Sequence, residues 1–158
     1  EFIWEISHYV PIHDIGNIGV NNDLFTKTDE LTLEEWIELK RHVIVGIDLV
    51  EKMNFGTVAK NIVQYHHERW DGKGYYAGLQ GMDIPIEARI VNLADTYDVL
   101  RMERPYKRAF THKEALYEIL DERGKQFDPR LVDIFVRYNK IFESCYDTSV
   151  ELIEKLKK

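Results

Sequence analysis

Two histidines, His66 and His67, open the stretch HHERWDGKGYYAGL, with Glu68 and Asp71 behind them and glycines at 72, 74 and 78. Neutral imidazole is a common metal ligand, and adjacent histidines leave a helix about 100° apart. His66 lies one turn after Ile62 and His67 one turn after Val63, so at least one ring should face the interior. A core histidine bonded to a backbone carbonyl fits that position as well as a metal ligand does. His13-Asp14 offers one nitrogen and one carboxylate able to bridge two metals. Taken alone, it reads better as an exposed histidine beside a turn-capping aspartate. Asp95, in NLADTYDVL, shares a row with Val91 and Val99. An ionised carboxylate there is costly unless it is coordinated or paired, and Arg101 and Arg104 are the candidate partners. His42 falls off the apolar stripe of its segment and reads as exposed. Only Gly46, one turn on, hints at close packing there.

Other chemistries fit less well. No serine-centred nucleophile motif occurs, and Cys145 is the single cysteine, far from the histidines in sequence. GKGYYAG follows a helix rather than a strand and lacks a phosphate-loop pattern. No CxxC marks a structural zinc site.

The elements that must hold these residues read as all helix. EFIWEISHYV forms a first amphipathic segment ending near Pro11, and HDIGNIGVNND reads as loop. Thr32 and Glu35 form a capping box for LEEWIELKRHVIVGIDLVEKM, whose apolar stripe is Leu33, Trp36, Ile37, Val43, Ile44, Ile47 and Val50. Asn54-Phe55-Gly56 breaks it, and TVAKNIVQYHHER follows as the helix carrying the paired histidines. Pro85 opens IEARIVNLADTYDVLRME, apolar nearly all round and hence central. Thr111 and Glu114 cap HKEALYEILDER, which stops at Gly124. Asp128-Pro129 opens RLVDIFVRYNKIF, and SVELIEKLKK adds a short final helix. No repeat or internal linker divides residues 1–158, which read as one domain.

Composition narrows the field further. With 44% apolar and 31% charged residues in 158, the chain has an ordinary globular composition and enough length for one substantial core. No apolar run approaches the roughly 20 residues of a membrane span. A net charge of −7, with both signs mixed along the chain, argues against DNA binding. An anionic ligand would need a local metal or a few placed bases. The lone cysteine excludes an intrachain disulfide and fits a cytoplasmic setting. The chain starts at Glu1 rather than Met, which suggests a piece of something longer.

With HD at 13–14, His42, HHExxDGxGY at 66–75 and Asp95, followed by RPYKRA and FDP, the chain resembles the HD-GYP branch of the HD phosphohydrolases. The match runs from about Ile6 to Phe135. The resemblance implies an all-α HD-domain helical bundle with the C-terminal HD-GYP helical extension. It implies hydrolysis of cyclic di-GMP to a linear dinucleotide or GMP. His13, Asp14, His42, His66, His67 and Asp95 are then expected metal ligands, with His13 and Asp14 central to catalysis. Tyr75, Arg104 and Lys107 match substrate-binding positions. Two or three divalent metal ions are implied, iron first, with manganese, nickel or zinc as alternatives. Such a domain follows an N-terminal sensory or receiver module in a bacterial two-component protein. Its further partners include diguanylate cyclase (GGDEF) domains and a second copy of itself. Paired metals suit the chemistry, because phosphodiester hydrolysis needs an activated water and a stabilised leaving oxygen.

The sequence departs from the family pattern at named places. Asn17 takes the catalytic position of a lysine thought to assist the phosphate. Asn21 and Tyr76 replace the prolines of GIP and GYP. An upstream helix carrying a further histidine ligand has no counterpart in the twelve residues before His13. One lost charge-assisted phosphate contact costs about 1.5–3 kcal/mol, which weakens activity without abolishing it. These departures leave an alternative, a non-catalytic module that senses the nucleotide or docks a partner. Hydrolysis of another phosphate ester is a third reading, less favoured because the loop after the histidines is so well kept.

Overall fold

The computed structural model describes residues 1–103 and 108–156, so Arg104 and Lys107 lie outside the described residues. Eight α-helices are defined among the described residues, with no strand element. In order they are α1 (Phe2–Tyr9), α2 (Asp23–Thr26), α3 (Leu33–Met53), α4 (Thr57–Tyr65), α5 (Ile86–Arg101), α6 (His112–Asp121), α7 (Pro129–Arg137) and α8 (Asn139–Leu156). They pack as two compact units, Glu1–Asn92 and Leu93–Lys158, with the division inside α5. The all-α expectation holds.

The local signals act where the sequence places them. Thr32 and Thr111 each accept from the backbone N–H three residues on, while Glu35 and Glu114 reach back to the capping residue. Asn54 ends α3 in the left-handed region (φ 54°), and Gly124 takes φ 77° beyond α6. The Asp128 carboxylate accepts from Arg130 N–H at the start of α7, with Pro129 at the first helical position.

The first unit is built around α3. Val50, Ala59 and Val63 form its buried cluster, with Tyr9, Ile12, Ile15 and Phe55 packed against it. The HDIG segment is more regular than the expected loop, forming 3-10 turns at Val10–Ile12 and Ile15–Gly19. The second of these lies along α3.

That packing corrects the expected face of α3. His42, Val43, Gly46 and Val50 are buried, whereas Leu33, Trp36, Ile37 and Ile44 are exposed. A β-carbon on Gly16 would come within 1.8 Å of the His42 carbonyl oxygen and 2.6 Å of Gly46 N. One on Gly46 would meet Val63 Cγ1 at 2.6 Å. The two glycines therefore let backbone approach backbone and turn the His42 side of α3 inward. A wheel ranked by hydrophobicity misses this, because the deciding residue has no side chain.

Helix α4 also ends earlier than expected, at Tyr65, with His66 as its C-cap. Asn92 of α5, itself buried, donates to the carbonyls of His66 (2.7 Å) and Glu68 (3.0 Å). These acceptors keep the 66–68 backbone in a turn rather than a further helical repeat. The early part of α5 is buried as expected, but it carries Glu87, Arg89 and Asn92 into the interior beside Ala88 and Val91. Glu87 accepts from Asn61 at 2.6 Å, and Arg89 donates to the Ile84 carbonyl at 2.9 Å.

The second unit buries Leu93, Tyr97, Ala115, Ile119, Phe127, Val132 and Phe135 together. Its last helix is longer than expected: α7 stops at Arg137 and α8 runs from Asn139 through the stretch read as a break. Asn139 marks the junction, donating to the Val136 carbonyl at 2.5 Å while its side-chain oxygen meets His112 Nε2 at 3.2 Å. No helix among the described residues is long and apolar enough to cross a membrane.

Candidate metal centre

Four side chains of the first unit converge: Asp14, His42, His66 and His67 each offer a ligand atom within 4.8 Å of the others. Three local devices supply them. Asp14 precedes the 3-10 turn Ile15–Gly19, which Gly16 presses against α3. His42 projects from the inward face of α3, and His66 and His67 occupy the turn after α4 held by Asn92.

The imidazoles are oriented by the backbone. His42 Nδ1 meets the Leu39 carbonyl at 2.7 Å, and His66 Nδ1 meets those of Ile62 and Val63 at 3.0 and 3.1 Å. His13 Nδ1 likewise meets the Val10 carbonyl at 2.9 Å. A carbonyl oxygen only accepts, so each Nδ1 carries a proton, which leaves Nε2 as the atom that can present a lone pair. This is the arrangement by which outer hydrogen bonds fix metal-binding histidines.

The Nε2 atoms face one another and a carboxylate. His66 Nε2 lies 3.4 Å and His42 Nε2 3.5 Å from Asp14 Oδ1. His42 Nε2 and His67 Nε2 are 3.1 Å apart. His66 Nε2 is buried and has no hydrogen-bond partner. A buried acceptor without a donor is costly, and several lone pairs aimed at one point need a positive charge between them. The donor set of three imidazoles and one carboxylate fits a divalent transition metal better than calcium. His42 and His66 are buried, but the Asp14 side chain is 43% exposed, so the centre opens to solvent.

Electrostatics agree with that reading. Burial, followed by the proximity of the His66 and His42 imidazoles, pushes the His67 imidazole down to about 2, so the ring is neutral near pH 7. Burial also lowers His42, against the opposing pull of its bond to Leu39. For Asp14, burial opposes ionisation, but the close approach of the His66, His13 and His42 imidazoles outweighs it. Its carboxyl is held well below the usual range and is an anion at neutral pH.

The remaining expected site residues are placed as follows. His13 adjoins the cluster, with Nε2 3.7 Å from Asp14 Oδ2 and its ring 5.2 Å from that of His66, but it is not one of the four. Asn17 is half-buried in the 3-10 turn, its N–H on the Asp14 carbonyl. Tyr75 stacks on His67 with ring centres 4.6 Å apart and planes 23° apart. Tyr76 is exposed. Asp95 lies in the second unit, half-buried on α5, and is not among the four convergent residues.

Two residues matter that the motif reading passed over. Glu68 is buried, and its Oε1 accepts from the backbone of Ala77 (2.6 Å) and Gly78 (3.0 Å), tying the glycine loop to the histidine turn. Asn92 fixes that turn from the other side. Asn92 carried a signal, a polar residue between Val91 and Leu93, whereas Glu68, among polar neighbours, carried none beyond its place in HHE. Gly74 completes the fit, since a β-carbon there would meet Arg69 N at 2.4 Å and the His67 carbonyl oxygen at 2.6 Å.

Comparison with known proteins agrees with this architecture. The HD domain family pattern matches residues 8–131. The cyclic di-GMP phosphodiesterase response regulator RpfG of Xanthomonas campestris is 43% identical over 129 residues, covering 80% of this chain and 34% of the relative. The 3′3′-cGAMP-specific phosphodiesterase 2 of Vibrio cholerae is 36% identical over 135 residues, covering 84% and 26%. The chain spans 26–40% of the length of the curated relatives it matches. Among solved structures, a cyclic GMP-AMP specific phosphodiesterase of V. cholerae shares the fold, with a TM-score of 0.62 at 22% identity over 86% of this chain and 38% of that one. With the family pattern spanning most of its length and HD, HHE and DGKGY in place, the chain belongs to the HD domain family, in its HD-GYP branch.

Proposed function

We propose that this chain is the catalytic module of a metal-dependent phosphodiesterase that opens a cyclic dinucleotide, cyclic di-GMP first, to its linear form. The observation that carries the proposal is the convergence of Asp14, His42, His66 and His67, with the His42 and His66 rings turned inward by backbone carbonyls. Those four residues would hold the metal, with His13 beside them. Asp95 enters as a ligand from the resemblance alone. Two or three ions are proposed, iron first, with manganese, nickel and zinc as alternatives. Bound there, a divalent metal supplies Lewis-acid activation of water and neutralises charge on the phosphate.

The reaction adds a water's hydroxyl to phosphorus, breaks the bond from phosphorus to a ribose 3′ oxygen, and leaves the other hydrogen on that oxygen. Asp14 contributes the negative charge that retains a cation, and burial favours the neutral His42 and His67 rings. Glu68 and Gly74 hold the loop that sets Tyr75 against His67, forming one wall for the nucleotide. Arg104 and Lys107 are proposed, from the resemblance, to hold the phosphate. Residues 1–158 would serve as one module in a cytoplasmic signalling protein, behind a sensory or receiver domain, and a homodimer is consistent with that role.

The test is turnover. Protein reconstituted anaerobically with ferrous iron, and separately with manganese, is incubated with cyclic di-GMP and with 3′3′-cGAMP, and products are separated by chromatography. Linear dinucleotide from cyclic di-GMP supports the proposal. Stoichiometric binding without product in any metal would favour the sensing module that Asn17, Asn21 and Tyr76 suggest.

A further inference from the structure

Lys40 stands out among the cations of the first unit by what it touches. It is exposed on α3, two residues before His42. Its ammonium lies 4.7 Å from the centre of the Tyr75 ring and 6.0 Å from that of Trp36. Tyr75 is itself stacked on His67, so Lys40 is one aromatic ring away from a side chain of the candidate metal centre.

Several other cations of the first unit are engaged by carboxylates. Lys27 bonds Glu35, Arg41 bonds Glu38, Lys52 bonds Asp48 and Arg69 bonds Asp71. Among the described residues Lys40 has no such carboxylate; its contacts are the two rings. An ammonium held only by ring faces, and itself exposed, is weakly engaged and can turn to an anion at little cost. The chain carries a net charge of −7, so an anionic ligand meets general repulsion that a local unneutralised cation offsets.

We propose that Lys40 is a substrate-binding residue, donating to a non-bridging phosphate oxygen of the cyclic dinucleotide at the rim formed by Tyr75. This rests on the phosphodiesterase reading above and adds a specific contact to it. Lysine serves such a site as a flexible point charge, without the fixed fork of arginine.

The metal-loaded wild type is compared with Lys40→Gln and Lys40→Arg, reading kcat and KM for cyclic di-GMP, metal content, and the dependence of KM on salt. Loss of one charge-assisted contact raises KM about ten- to a hundredfold in Lys40→Gln. The kcat and metal content stay near wild type, the salt dependence flattens, and Lys40→Arg recovers most of the binding. The same comparison in a Tyr75→Leu background separates contact from bracing. If Lys40 binds phosphate its loss still raises KM there; if it only steadies the Tyr75 ring, its loss adds nothing and the proposal is overturned. A wild-type KM in Lys40→Gln also overturns it while leaving the phosphodiesterase reading intact. If the wild type binds cyclic di-GMP without cleaving it, the same variants are read by Kd. Weakened binding in Lys40→Gln then upholds the contact although the hydrolysis reading fails, and unchanged binding overturns it. No binding by the wild type overturns both.

Discussion

Gly16 lies against α3 so closely that a β-carbon on it would come within 1.8 Å of the His42 carbonyl oxygen. The obstacle is backbone on both sides, so neither partner can swing away. This contact sets Asp14, two residues before Gly16, opposite His42 and His66. Gly16→Ala should lower stability by about 1–3 kcal/mol or more and reduce metal content together. Thermal unfolding and elemental analysis of the variant check both. Unaltered stability would show that the two segments can part without cost.

Asn92 should matter to the metal without touching it. Its side chain holds the carbonyls of both His66 and Glu68, so Asn92→Ala frees the turn that aims two ligands. Metal affinity should fall about 10–100-fold, the usual cost of losing an outer partner. His66→Ala, which removes a ligand itself, should fall further. Competition against a chelator of known affinity orders the two variants.

Glu68 should behave as the tether of the loop. Glu68→Ala leaves the N–H groups of Ala77 and Gly78 without their acceptor. Amide hydrogen exchange at those two positions should speed up markedly, while exchange in α3 stays as in the wild type. Equal protection in both proteins would place the loop's restraint elsewhere.

Acid behaviour has a defined local contributor in the second unit. Arg108, followed by the Thr111 cap, lowers the Glu114 carboxyl from 4.5 to about 2. A depressed carboxyl stabilises the fold above its unfolded value and loses that contribution as pH falls through the folded one. The difference in Tm between wild type and Glu114→Gln should therefore be constant above about pH 5 and shrink as pH falls from there towards 2. A gap independent of pH would mean that the glutamine replaces the charged cap fully.

Much of this was legible from residue order alone. Capping boxes at Thr32 and Thr111, the left-handed end at Asn54 and the Asp128-Pro129 start are local devices, and they act locally. HD and HHE pointed to the candidate centre through the family resemblance, since taken one by one these residues fitted structural roles as well. The face of α3 was not legible, since it is decided by two glycines from segments far apart in sequence. Asn92 and Glu68 escaped notice for a related reason. Their roles are hydrogen bonds to backbone brought near only by folding, and no spacing rule anticipates such partners.

The central claim is that Asp14, His42, His66 and His67 hold a metal. Anomalous diffraction from crystals grown with iron or manganese tests it directly, with data collected on both sides of the absorption edge. A peak is expected about 2.0–2.2 Å from the Nε2 atoms of His42 and His66 and from an Asp14 oxygen. Crystals of metal-loaded protein with no anomalous peak among these four side chains would contradict it.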